Sequence, residues 1–495
     1  MLTYSKFLEF FIPLLAIFLI NTEINAVAPA IPDMLRSLDI GMYAVQWIAD
    51  AYMLAFASFI LLTGRAGDII GAEIVFYVGM CIFTVASFIG GTSDSATILI
   101  ISRYSMGLGA ALIWPNASSI LLNNNLVKKG TAIGIFTSVV GLSIAMGPLL
   151  GGYLTEAYTW RGVFLINVPF FLVCVLLSTK YKIINNFTKS NFKQLSLNMY
   201  DNVILLILFP TTFIILLLIL PSIQFKNFNF LSVILLILVL LFSVLKIFNS
   251  QLYSKFLQNK NLILGCSARL FFQATFMGAT YIVCYFVQIA YKLTSYESGI
   301  IFLSCTGSLF MISFFSGHIL NKLKSDYVAL IGLLISSITY FLLSYFTTTE
   351  LQLDKIVFLL FFLGLGYGIA SPALLLTSTQ NESKQSYTLS LAIYFMFSIF
   401  GNVIGIIFAS SVLERISCYY LVNILNRENI EILAATENFK LYLKGFQILD
   451  IDILYHYNYS LIHAYKDILY IFSIINTLSI VIIGWNTARN KLTNK

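Results

Sequence analysis

Charge is what this chain of 495 residues has least of: Asp, Glu, Lys and Arg together make up 10%, where soluble proteins carry about 25%. That scarcity excludes a soluble domain, a disordered polymer and a nucleic-acid binder, all of which need charge to stay solvated or to neutralise phosphate. Histidine occurs three times and cysteine six times. Cys81, Cys174, Cys266, Cys284 and Cys305 fall inside apolar segments and Cys418 in a loop, so no metal-ligand spacing and no disulfide framework exists. No phosphate-cradling G-x-x-x-x-G-K-[ST] loop and no nucleophile–base pair occur, which leaves neither ATP drive nor an enzyme. No metal and no cofactor is implied. What fills the space is apolar: 59% of residues are hydrophobic and 15% aromatic, with a mean hydropathy of +0.89. Uninterrupted apolar runs exclude a β-barrel, whose strands alternate.

The reading is therefore an all-α polytopic membrane protein. Runs long enough to span fall at 8–29, 45–63, 74–91, 97–121, 131–153, 161–179, 201–221, 229–248, 262–290, 298–318, 327–346, 355–378, 387–411 and 467–486. Fourteen helices of about 21 residues would use about 294 positions, close to the hydrophobic share. The first run resembles a signal peptide, with Ala26-Val27-Ala28 as a small-residue site. Pro29 after the cut, Glu9 in the basic region and the many further spans point instead to a permanent helix.

Orientation follows from Lys and Arg in the short loops. With the N-terminus inside, the inner loops collect Arg65, Lys128, Lys129, Lys180, Lys182, Lys255, Lys260, Lys322, Lys324 and Lys384, while short outer loops hold only Arg36, Arg161, Lys226, Lys292 and Lys355. Both termini are expected in the cytoplasm of a cell with the chain in its cytoplasmic (inner) membrane. The segment 413–466 lies outside and its pattern suggests a small helical hairpin.

Five motifs stand in order. Residues 46–56 read Gln46-Trp47-Ile48-Ala49-Asp50-Ala51-Tyr52-Met53-Leu54-Ala55-Phe56. Helix 2 ends in Gly64-Arg65-Ala66-Gly67-Asp68-Ile69-Ile70-Gly71. Helix 4 holds Arg103-Tyr104-Ser105-Met106-Gly107-Leu108-Gly109. Helix 5 holds Gly141 and then Gly147-Pro148-Leu149-Leu150-Gly151-Gly152, and helix 6 opens Trp160-Arg161-Gly162. Each has its own physics. Glycines at 64 and 71 let helices pack closely at a tight turn while Asp68 can cap a neighbouring helix N-terminus. In helix 5 Gly141, Gly147, Gly151 and Gly152 thin one stripe, and Pro148 removes a backbone hydrogen bond.

In order and spacing these motifs resemble the 14-helix drug:proton antiporter family of the major facilitator superfamily, of the multidrug or quaternary-ammonium exporter type. The match is dense over residues 21–172, with thinner support from Gln288, Gly364-Leu365-Gly366-Tyr367-Gly368, Pro372, Gly401 and Gly405. The resemblance implies two six-helix bundles, residues 1–190 and 261–495, around two inserted helices in 191–260. It makes the helix 2–3 turn a latch between the halves, here with Ile69, Ala72 and Glu73 where the family carries bases. It also implies proton antiport driven by the proton gradient alone, with a small-molecule substrate, contact with lipid, no nucleic acid, and function as a monomer.

Charges inside the bilayer carry the most information, since each costs at least about 2.5 kcal/mol at the centre. Glu23, Asp50 and Arg103 fall at overlapping depth in one half and are expected to surround one wet pocket where protons and cargo exclude each other. Asp50 matches the family's Trp-x-x-Asp-x-Tyr pattern and Arg103 its helix-4 arginine. Glu23 lies one turn after the family's acid position, occupied here by Ile20. The competing reading is a static buried ion pair that only fixes helix packing. Asn25, Tyr52, Trp114, Arg269 and Gln288 are further cavity candidates; for Arg269, snorkelling to the membrane edge competes with a cavity role. The expected function is export of amphipathic, cationic organic compounds by alternating access. Export of a specific metabolite or siderophore, proton symport, and a transport-inactive sensor or scaffold stay open beside it.

Overall fold

The computed structural model describes residues 2–39, 42–124, 126–180, 259–290, 295–346, 353–380, 386–428 and 451–493, together with 382 and 439. All regular structure among them is helical: α1 (Leu2–Leu38), α2 (Met42–Ile70), α3 (Ala72–Gly91), α4 (Ala96–Asn123), α5 (Lys129–Tyr158), α6 (Arg161–Leu165), α7 (Asn167–Lys180), α8 (Lys260–Ala290), α9 (Ser295–Leu320), α10 (Ser325–Phe346), α11 (Leu353–Thr379), α12 (Tyr387–Glu428) and α13 (Ile451–Thr493). Helices are the expected outcome, because a backbone in hydrocarbon must satisfy its own hydrogen bonds within the segment.

Eleven helices among the described residues are long and apolar enough to cross a membrane, and Arg161–Leu177 forms a shorter apolar one. The expected spans 201–221 and 229–248, and the boundary of a middle domain at 191–260, lie outside the described residues up to 258. The sixth span is broken after Leu165. Pro169, lacking an N–H, cannot donate to the carbonyl of Leu165, which is where the first segment stops.

Two boundaries differ from the sequence reading. α1 runs through Pro29 and Pro32 to Leu38 rather than stopping at 29. α12 and α13 continue the membrane helices as far as Glu428 and from Ile451, so 413–428 and 451–466 are helical and continuous with the spans. The reason is an apolar face that persists beyond the membrane-length core: Leu421, Leu425, Leu461 and Tyr465 are fully buried. The Tyr420 hydroxyl donates to Asp467 at 2.7 Å, and the His463 ring lies against Tyr420 and Tyr459.

Two bundles result. α1 packs on α5, α3 on α4, and α2 on α4; in the second bundle α8 packs on α12, α10 on α11 and α13, and α9 on α11. The bundles meet chiefly through α5–α9 and α2–α12. Small residues set that approach. A Cβ on Gly134 would stand 2.6 Å from the Cα of Gly317, so the two backbones touch across the boundary. Gly107 meets the Tyr52 carbonyl and Gly405 the Ala274 carbonyl in the same way within each bundle.

Candidate functional site

Glu23 on α1 and Arg103 on α4 form a buried ion pair, each 2% exposed. The Arg103 Nε donates to the Ile48 carbonyl of α2 at 2.9 Å, and the guanidinium lies 4.5 Å from the Tyr52 ring centroid. One arginine thus ties three helices together. A carboxylate and a guanidinium removed from water attract strongly but are costly to bury, so the pair persists only with such added hydrogen bonds.

The pair is not saturated. Oε2 of Glu23 and the Tyr52 hydroxyl have no protein hydrogen-bond partner, nor has the Thr22 hydroxyl. Thr22 and Glu23 border a cavity of about 80 Å³ whose walls include Leu150, Val163, Asn167 and Phe170. Its volume exceeds the roughly 30 Å³ share of one water molecule, and it offers polar partners from α1 and α7. A carboxylate held by one oxygen and open on the other can accept a proton without breaking the first contact.

Asp50 is half-buried on α2, the helix whose Ile48 carbonyl accepts from Arg103. The ion pair itself joins Glu23 and Arg103, with the Ile48 carbonyl as a further acceptor. Asn25 donates to the Asn21 carbonyl at 2.7 Å and packs where Gly147 leaves room. Gln288 donates to Ser298 at 3.0 Å, joining the end of α8 to the start of α9.

From Tyr52 a chain of rings runs across the bundle boundary. Tyr52 contacts Phe56 (6.3 Å between centroids), Phe56 contacts Trp114 (6.1 Å), and Trp114 meets Phe395 of α12 (5.8 Å) and Phe136 of α5 (6.1 Å). Phe395 touches Tyr394 (5.5 Å), and Tyr394 faces the guanidinium of Arg269 at 5.5 Å. The two buried arginines are therefore the ends of one aromatic bridge. Arg269 does not snorkel: it donates to Ser398 (3.2 Å), Ser371 (2.9 Å) and Tyr367 (2.9 Å). Sequence reasoning named Tyr52, Trp114 and Arg269 but missed Phe395 and Tyr394, which nothing distinguishes among 43 Phe and 28 Tyr.

Below the bridge the halves are latched. Asp68 accepts hydrogen bonds from the backbone N–H groups of Thr388 (2.9 Å) and Leu389 (3.0 Å), capping the first turn of α12 with a negative charge where the helix dipole favours it. The Thr388 hydroxyl bonds Ser119 (3.0 Å), Asn321 bonds Thr131 (2.6 Å) and accepts from Gly130 N–H (3.2 Å). A Cβ on Gly64 would stand 2.4 Å from that of Ala392, so this glycine admits α12; Gly71, at φ +106°, turns the chain into α3. In α5, Gly141 accommodates Leu309 of the other half, whereas Gly147 and Gly151 accommodate α1. Gly152 has open space and Pro148 is exposed, so the glycines serve two neighbours rather than one stripe.

Two helical bundles with buried charge in each, joined at one end, are the architecture of a membrane transporter. The chain belongs to the Major Facilitator Superfamily, whose family model matches residues 14–406. Its relatives include the "Methylenomycin A resistance protein" of Bacillus subtilis (strain 168), 34% identical over 30% of this chain and 32% of that one. The "Cephamycin export protein CmcT" of Amycolatopsis lactamdurans is 35% identical over 33% of this chain and 34% of its own length. The "Multidrug resistance protein Stp" of Mycobacterium tuberculosis (strain CDC 1551 / Oshkosh) is 31% identical over 34% and 32%. The chain thus matches about a third of the length of each. Among solved structures, the human organic anion transporter MFSD10 (TETRAN) superposes with a TM-score of 0.63 at 12% identity, covering 97% of this chain and 99% of that one. The proton:xylose symporter XylE gives 0.60 at 11%, covering 97% and 95%. These two likenesses establish the fold.

Proposed function

We propose that this transporter exports an amphipathic organic compound across the cytoplasmic membrane in exchange for protons, acting as a monomer of the 14-helix drug:proton antiporter type. The observation that supports it most is the half-satisfied Glu23–Arg103 pair. Protonating Glu23 on its open oxygen cancels its charge and weakens the attraction that holds Arg103 between α1 and α2. The pair's charge then changes by one unit, and with it the packing of three helices of the first bundle. That is the kind of two-state element a proton can bias.

The Lys and Arg distribution puts the α2–α3 turn in the cytoplasm, so the latch at Asp68 makes this an arrangement closed to the inside. A cationic cargo would need an acid of its own in the pathway. Half-buried Asp50, on the helix that also holds Tyr52, is the candidate for that role. The relatives each match about a third of the chain and carry resistance or export in their names. The test is substrate-induced proton flux in reconstituted vesicles with ethidium, tetraphenylphosphonium and 2-naphthoate as probes. Movement of protons opposite to a probe supports exchange; movement with the probe contradicts it.

A further inference from the structure

The two bundles treat their buried arginines differently. Arg103 has a carboxylate. Arg269 has none among the described residues: Ser398, Ser371 and Tyr367 are its hydrogen-bond partners, and the rings of Tyr367 and Tyr394 lie 5.4 and 5.5 Å from it. Three of its five N–H donors are thus engaged, all by neutral oxygens. The guanidinium cannot shed its charge by losing a proton, and burying a charge without a counter-charge is costly. It sits nine residues into α8, roughly 13 Å from that helix's start at 1.5 Å per residue.

Its partners are not sealed. Arg269, Ser371, Ser398 and Tyr367 each keep 7–8% exposure, while Ala268 and Phe272 behind them have none. Tyr394, 5.5 Å from the guanidinium, touches Phe395, the ring that meets the other bundle. The polar strip continues through Gln273, which accepts from Tyr367 at 2.5 Å and donates to Asn402 at 2.5 Å. Here too no acid appears among the described residues.

We infer that Arg269 is a binding subsite for the acidic group of the cargo: an amphipathic organic acid whose carboxylate takes the two unused guanidinium donors and whose apolar body lies along the Tyr394–Phe395 edge of the aromatic bridge. Planar carboxylate and guanidinium match two donors to two acceptors. The flat aromatic walls suit a conjugated body. The inference names the cargo class for the proposed exporter and so rests on that reading, although binding itself can be measured without transport.

The experiment is ligand-induced thermal stabilisation of the full chain in nanodiscs, using 2-naphthoate and its uncharged methyl ester. Loss of a charge-assisted pair predicts at least about tenfold weaker binding for the ester than for the acid. Arg269→Gln should abolish the acid's advantage and Arg269→Lys should keep part of it. Should Arg269→Gln not fold, Ser371→Ala and Tyr367→Phe retain the charge and should retain the preference for the acid. Equal binding of acid and ester, failure of the acid to bind, or a preference that survives Arg269→Gln would each overturn the assignment. So would sodium chloride or phosphatidylglycerol giving the same Arg269-dependent stabilisation, since the subsite would then hold a resident ion or lipid headgroup. The two readings separate cleanly. Arg269-dependent acid binding without proton flux leaves the subsite and removes the exchanger; proton flux without such binding does the reverse.

Discussion

Trp114 and Phe395 come from opposite bundles and meet edge to face, their ring centroids 5.8 Å apart and their planes at 88°. This contact closes the gap between the two buried arginines, because Trp114 leads through Phe56 and Tyr52 to Arg103, and Phe395 leads through Tyr394 to Arg269. An edge-to-face pair is worth about 0.5–1.5 kcal/mol beyond its buried area. Phe395→Leu should therefore favour separation of the bundles at this level by roughly two- to tenfold. A cysteine at Ser398 would report it as faster reaction with a membrane-impermeant maleimide; an unchanged rate would mean the rings do not hold the halves.

The ion pair predicts an asymmetry between its partners. Arg103→Ala leaves Glu23 buried without a counter-charge, a loss of about 3–5 kcal/mol for breaking such a pair from one side. Glu23→Gln removes a charge but keeps an acceptor for Arg103. The double variant Glu23→Gln with Arg103→Ala should be more stable than Arg103→Ala alone. Thermal unfolding in detergent or nanodiscs tests this, and additive losses would show that the two side chains do not couple.

Asp68→Asn keeps a hydrogen-bond acceptor at the start of α12 but removes the charge that suits it. A helix cap and its dipole term are worth about 0.5–2 kcal/mol. The latched arrangement should lose population by a few-fold to about thirtyfold, on 1.4 kcal/mol per factor of ten. Spin labels at Leu126 and Leu323, both exposed, flank the latch from opposite halves. Their distance distribution should broaden toward longer separations in the variant. Identical distributions would remove the latch role.

Glycine positions supply a paired test. In Gly134→Val the new Cβ would collide with the backbone of Gly317, a position that cannot swing aside as a side chain can. The halves should fail to close and the same spin-label pair should read open, with transport lost. Gly152→Ala, where nothing stands within 4 Å, should leave both readouts unchanged. Closure in the first variant would contradict the packing argument.

Much of this was legible in the residues. The apolar runs announced the membrane helices because hydrocarbon enforces length and composition directly, and Asp68 could be read as a cap from its place beside two glycines. Glu23 and Arg103 stood out since intramembrane charge is rare. Two kinds of information were not local enough to read. Whether Asp50 joins the pair depends on the rotation of α2, which a run of apolar residues on every face does not specify. The aromatic bridge depends on which two of many rings face the boundary, and Phe395 has the same neighbours in sequence as any other lipid-facing phenylalanine. Helix ends were also misplaced at Pro29 and at 411, where buried apolar contacts carry the helices past the expected stop.

The central claim is that protonation of Glu23 couples cargo export to the proton gradient. It is tested most directly by recording proton movement in vesicles containing the wild type or Glu23→Gln, with ethidium, tetraphenylphosphonium or 2-naphthoate added under a pH gradient. The account predicts proton movement opposite to a transported probe in the wild type and none in Glu23→Gln, which should still exchange probe for probe across the membrane. Proton-coupled transport that continues undiminished in Glu23→Gln would contradict it.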